Sequence, residues 1–117
     1  MWRYEQSTGK LWQLAGKGYS GREEAKNQPD LDSLKDRGPI PKGTWTVGPP
    51  FDGGTHGPFC LRLIPDHDTV THGRDGFLIH GDSIRAPGTA SHGCVILPRA
   101  VREEIWNSGD HELEVVA

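Results

Sequence analysis

Phe77-Leu78-Ile79-His80-Gly81, followed after a polar stretch by Ser91-His92-Gly93-Cys94-Val95-Ile96-Leu97, decides how the chain reads. Phe77-Leu78-Ile79 and Val95-Ile96-Leu97 are short apolar runs, the pattern of buried strands. The first delivers His80 at its end, and the second begins just after Cys94. Two residues at neighbouring strand ends can meet across a cleft while the segment between them, Gly81 to Ala90, arches over it. A cysteine attacks a carbonyl as thiolate and needs a base or a positive field beside it. His80 and His92 are the candidate bases. Gly93 lets the backbone turn tightly and approach a substrate. N–H groups around Gly93 and Cys94 can then face a developing oxyanion, and Ser91 is placed to fix the turn. Cys94 is therefore expected to be a catalytic nucleophile.

Working outward, Phe59 to Ile64 alternates, with Phe59, Leu61 and Leu63 on one side. Thr44-Trp45-Thr46-Val47 alternates too, and Pro49-Pro50 is expected to end that strand. Glu112 to Val116 should close a sheet. At the N-terminus, Trp2-Arg3-Tyr4 and Leu11-Trp12-Gln13-Leu14 flank Ser7-Thr8-Gly9-Lys10, which predicts a β-hairpin. Pro98 to Ser108 predicts the one clear helix: Pro98 suits its start, Gly109 its stop, Val101 and Ile105 share a face, and Arg99 can pair with Glu103. Residues 15–43 are polar and too long for a plain connector. They are expected to line or cover the cleft, with a helical turn within Asp30 to Asp36.

Composition agrees with a mainly β (α+β) domain that fills residues 1–117. Only 33% of residues are hydrophobic while Gly (16) and Pro (9) are abundant, which favours turns and short strands over a helical bundle. Four Trp help to fill a thin core. With 13 basic and 16 acidic residues the chain carries no basic stripe, which argues against nucleic acid. No apolar run approaches the ~18 residues of a membrane span. Met1 to Gln6 lacks a hydrophobic signal segment, so synthesis in the cytoplasm is expected, with export by another route.

The other cysteine, Cys60, lies in the apolar stretch Phe59 to Ile64 and reads as a small buried hydrophobe, with no disulfide to Cys94 expected. His72, His80, Asp82, His92 and Cys94 are possible metal ligands, but none shows a standard metal spacing, and neither a metal nor another cofactor is expected. His56, His67 and His111 lie in polar stretches and read as solvated side chains.

His80-Gly81 followed by Ser91-His92-Gly93-Cys94-Val95 resembles the motif of L,D-transpeptidases of the YkuD type, which carry a His, a variable loop, then Ser/Thr-x-Gly-Cys. Gly76 to Asp82 and Ala90 to Leu97 more closely resemble a narrower group, the type VI secretion L,D-transpeptidase effectors that attack the wall of rival bacteria. Tyr19-Ser20-Gly21 and Gly38-Pro39-Ile40-Pro41-Lys42-Gly43 are similar to stretches that recur there. The resemblance implies an L,D-transpeptidase-like β-sandwich or mixed sheet. It also implies a peptidoglycan stem tetrapeptide as substrate, cut between diaminopimelate and D-Ala. Cys94 would be the nucleophile, His80 its base, His92 an orienting group, with Gly93 and Ser91 shaping the turn. Gly81, Asp82, Arg85, Tyr19 and Ser20 would contact substrate. An effector of this kind acts in the periplasm of a target bacterium, with an immunity protein and a component of the secretion machine as partners.

Two departures from wall-crosslinking members bear on the outcome. The loop between His80 and Ser91 is short, and Ile96 stands where crosslinkers carry Arg or Asn. Both point to L,D-carboxypeptidase action or D-amino acid exchange over crosslinking. Three other readings stay open on the sequence: a zinc peptidase using the same histidines, a non-catalytic peptidoglycan-binding module, and a phage wall-processing protein.

Overall fold

The computed structural model describes residues 1–13 and 16–117. Its strands are β1 (Trp2–Glu5), β2 (Lys10–Trp12), β3 (Gly16–Lys17), β4 (Tyr19–Ser20), β5 (Gly43–Phe51), β6 (Cys60–Pro65), β7 (Leu78–His80) and β8 (Val95–Ile96). Helix α1 (Arg99–Asn107) and strand β9 (Glu112–Val116) complete the chain. Short 3₁₀ turns lie at Glu23–Ala25, Pro29–Leu31 and Gly54–His56. No helix among the described residues is long and apolar enough to cross a membrane.

The strands form one mixed sheet in the order β3-β2-β1-β9-β5-β6-β7-β8-β4. Of the two arrangements expected, the single mixed sheet is the one found. β1 and β9 run parallel, as do β7 and β8. The first and last strands of that order are neighbours in sequence, separated only by Gly18, whose N–H donates to the Gly9 carbonyl at 2.8 Å. The sheet therefore curls until it nearly closes, and one core fills the inside. Alternate residues supply that core: Trp2 and Tyr4, Trp45 and Val47, Leu61 and Leu63, Leu113 and Val115, each pair two positions apart on one face. Trp45 meets Phe77 edge-on with ring centroids 5.1 Å apart.

Most expected elements form, with corrections. The hairpin is β1–β2; Leu14 lies outside the described residues. Pro49-Pro50 does not end its strand. β9 pairs only Gly43 to Thr46 of β5, so the prolines sit where that side of β5 is unpaired, and the strand resumes with Pro50 opposite Leu61 after a register shift. Phe59 is not in a strand: its φ is +55°, and β6 starts at Cys60. The turn placed within Asp30 to Asp36 forms as a 3₁₀ turn at Pro29–Leu31, one residue early, and the Leu34 N–H continues it by donating to the Leu31 carbonyl at 3.1 Å. α1 packs on β5 and β7, buries Ile105, and pairs Arg99 with Glu103 at 3.7 Å. Segment 15–43, in which only a helical turn was expected, also supplies β3 and β4, and β4 borders β8.

Candidate active site

His80 ends β7 and Cys94 immediately precedes β8. These strands pair with Ile79 opposite Val95 and His80 opposite Ile96. Phe77, Ile79, Val95 and Leu97 belong to the core. By the two-residue period, Leu78, His80, Cys94 and Ile96 point to the opposite face. Extending the register one residue sets Cys94 level with Leu78, whose N–H donates to Cys94 Sγ at 3.3 Å. His80 and Cys94 are thus diagonal neighbours on one face, their Cα atoms roughly 8 Å apart by strand spacing.

His80 is only 2% exposed. Its Nδ1 lies 2.8 Å from the Gly81 carbonyl oxygen. A carbonyl can only accept, so Nδ1 carries the proton and Nε2 keeps a bare lone pair. That Nε2 is buried and has no hydrogen-bond partner among the described residues. Burial is the main force holding the imidazole below its ordinary pKa; the Gly81 bond opposes it, and the charges of His56 and Arg102 add to it. Burial also pushes the Cys94 thiol up, against the pull of the Leu78 N–H and the Arg74 guanidinium. Both shifts favour a thiol and a neutral imidazole over a thiolate–imidazolium pair. Among the described residues no hydrogen bond joins them.

The turn before Cys94 is held from inside. Ser91 is fully buried; its hydroxyl donates to the Cys94 carbonyl (2.6 Å) and accepts the N–H groups of Gly21 (2.9 Å) and Gly93 (3.1 Å). This corrects one expectation: the Gly93 N–H is engaged within the turn and does not face an oxyanion. Gly93 has φ +144°, and a Cβ there would lie 2.4 Å from Arg74 Nη2, so a side chain would be strained and would have to displace the guanidinium. Ser20, expected to touch substrate, is buried as well; its hydroxyl donates to the Gly93 carbonyl (2.9 Å) and accepts the Ile40 N–H (2.8 Å). It positions the turn from behind.

Tyr19, Asp82, Gly81 and Arg85 lie along the Gly81–Ala90 loop. Tyr19 donates its hydroxyl proton to Asp82 (2.6 Å) and accepts the Ala90 N–H (2.9 Å). Asp82 also accepts the N–H groups of Ser83 and Gly88, and these bonds hold its carboxyl below the usual range against burial. Tyr19 and Asp82 therefore organise the loop. Arg85 is exposed on it. His92 is exposed, with its ring nitrogens 3.2 and 3.4 Å from Arg22 Nη1.

Two cavities adjoin at this site. One, about 600 Å³, is lined by His80, Gly81, Asp82, Arg85 and Arg102. The other, about 280 Å³, is lined by Cys94, Phe77, Lys35, Asp36 and Asp75. His56 and His92 line both.

Four participants escaped the sequence reading. His56, read as solvated, is exposed but sets its ring 4.6 Å from that of His80. Away from the site, His111, also read as solvated, instead stacks on Trp106 at 4.1 Å. Arg74 is buried and donates to the carbonyls of Asp32, Pro39, Gly38 and His92, tying the segment before β5 to the cysteine turn. Arg102 lies under Gly81, and Arg22 beside His92. Only Arg102 left a trace: it stands three residues from Ile105, on the buried stripe of α1. Both cysteines are free thiols, and Cys60 is buried. Among the described residues no three His, Cys, Asp or Glu side chains gather in a set that could hold a metal ion.

A family model described as the Tlde1 domain matches residues 15–116. No curated protein and no solved structure matches the chain.

Proposed function

This chain belongs to the Tlde1 domain family, a family of type VI secretion effectors, and from that premise we propose that it is a cysteine-dependent acyl transferase of the L,D-transpeptidase kind, acting on peptidoglycan stem tetrapeptides. The observation that carries this reading is the buried, unpartnered Nε2 of His80 on the same sheet face as Cys94. A buried acceptor without a partner costs stability, and a nearby proton donor in a cleft gives it a use.

In this mechanism the Cys94 thiol passes its proton to His80 Nε2, and Sγ bonds to the carbonyl carbon that joins diaminopimelate to D-Ala. The tetrahedral intermediate collapses, the C–N bond breaks, and His80 returns the proton to the departing nitrogen of D-Ala. Water then hydrolyses the thioester, giving a tripeptide, or the amine of a free D-amino acid takes the acyl group, giving exchange. Delivery into the periplasm of a target cell would place the enzyme at its substrate, and self-protection would call for an immunity protein.

Mass analysis of purified muropeptides after incubation tests this directly. The wild type should release D-Ala and, with added D-amino acid, form exchanged tetrapeptide. Cys94→Ala should do neither, and His80→Ala should slow both by about 10²–10⁴-fold. Full activity in Cys94→Ala would remove the thiol from the reaction; loss to a chelator with resistance to thiol alkylation would reassign the chemistry to a metal.

A further inference from the structure

In the reaction above, the imidazole that takes the thiol proton gives it to the leaving nitrogen, so that nitrogen must come within hydrogen-bond reach of His80 Nε2. The leaving amino acid therefore occupies the His80 side of the cleft. Its carboxylate is one carbon away from its nitrogen, so the carboxylate oxygens fall about 3 Å from it. A cation next to His80 is where a free terminal carboxylate would be read.

Arg102 is such a cation. It is 6% exposed and rises from α1 beneath the loop. Nε donates to the Leu97 carbonyl (3.1 Å), and Nη1 to those of Pro58 (3.0 Å) and Phe59 (2.8 Å). Nη2 has no hydrogen-bond partner among the described residues and rests against Gly81, 2.9 Å from where a side chain there would begin. Arg102 lines the 600 Å³ cavity with His80, and no ion pair among the described residues uses it. A guanidinium braced by three carbonyls, with its outer nitrogen open, is a rigid donor to a carboxylate. Asp82, the one acid lining the same cavity, already accepts from Tyr19, Ser83 and Gly88.

We propose that Arg102 anchors the free carboxylate of the leaving D-amino acid, and that the same subsite holds the carboxylate of an incoming D-amino acid during exchange. This rests on the reading of Cys94 as nucleophile. It makes the enzyme selective for chain ends: a stem peptide extended or amidated at D-Ala has no charge to offer. The acyl portion then lies on the Cys94 side, where Lys35, Asp36 and Asp75 present both signs of charge to a zwitterionic diaminopimelate side chain.

The test compares a stem tetrapeptide ending in a free carboxylate with the same peptide ending in a carboxamide. Calorimetric binding to Cys94→Ala and turnover by the wild type are both measured. The carboxamide should bind and react about 10- to 100-fold less well. Adding Arg102→Gln should bring the carboxylate peptide down to the carboxamide level and leave the carboxamide unchanged, while Arg85→Gln should preserve the preference. Should Arg102→Gln fail to fold, the Arg85→Gln result decides: a preference that survives supports Arg102, and one that vanishes moves the anchor to the loop. Equal binding of the two peptides overturns the inference. Cys94-dependent turnover indifferent to amidation overturns it alone, whereas turnover without Cys94 overturns the reading beneath it.

Discussion

The hydroxyl of Ser91 donates to the carbonyl oxygen of Cys94 across 2.6 Å, while accepting the N–H groups of Gly93 and Gly21. One buried oxygen thus fixes three backbone groups around Cys94. Ser91→Ala leaves two donors and one acceptor without that partner. It should lower unfolding free energy by about 1–3 kcal/mol and reduce turnover beyond what the residual folded fraction explains. Urea denaturation paired with initial rates separates the two effects; unchanged values for both would show that the hydroxyl does not hold the turn.

Gly93 answers to a different constraint. At φ +144° and with Arg74 Nη2 only 2.4 Å from any added Cβ, Gly93→Ala must shift the guanidinium or the turn. A loss of about 1–3 kcal/mol is expected from the backbone conformation alone, and activity should fall with it. A Gly93→Ala protein with wild-type melting temperature and rate would contradict this geometry.

The pH response follows from His80 and Cys94. His80 has a lower pKa folded than unfolded. Between the two values the unfolded chain binds the extra proton, so its contribution is intact above about 6.5 and is lost as pH falls toward the folded value. The acid limb of kcat/KM should accordingly lie below 6.5. Because burial raises the Cys94 thiol above its ordinary 9.0, its alkylation by iodoacetamide should still be climbing at pH 9. An alkylation midpoint near neutrality would mean a resting thiolate–imidazolium pair instead.

Tyr19 reaches the Gly81–Ala90 loop through its hydroxyl, which bridges Asp82 and the Ala90 N–H. Tyr19→Phe keeps the ring and removes the bridge. The loop from Gly81 to Ala90 should loosen, seen as faster amide hydrogen exchange there, with a raised KM and little change in melting temperature. Exchange rates equal to wild type would assign the loop's order to Asp82 alone.

The parts of the fold that could be read in advance were those written in short-range chemistry. The apolar runs ending in His80 and beginning after Cys94 formed paired strands, and Pro98 to Gly109 framed the helix as its end residues imply. Pro49-Pro50 misled because the rule that proline breaks strands assumes partners on both sides, and β9 has already left β5 at that point. The site was legible as residue types and not as contacts. Ser20 and Ser91 carry hydroxyls that suit substrate as well as backbone, and only the packing of β4 behind the turn decides between them. Arg74 looks like a surface charge in sequence, and Arg102 shows only its place on the stripe of α1; the burial of both depends on carbonyls distant along the chain.

Because β3 and β4 meet at Gly18, the sheet begins and ends at the same place, and each of its two borders is only two residues long. Such borders offer almost no ladder for a foreign strand to extend. The protein should therefore show little tendency to join edge to edge at these borders. A macromolecule that docks at these borders finds almost no ladder to share, and its specificity there must come from side chains.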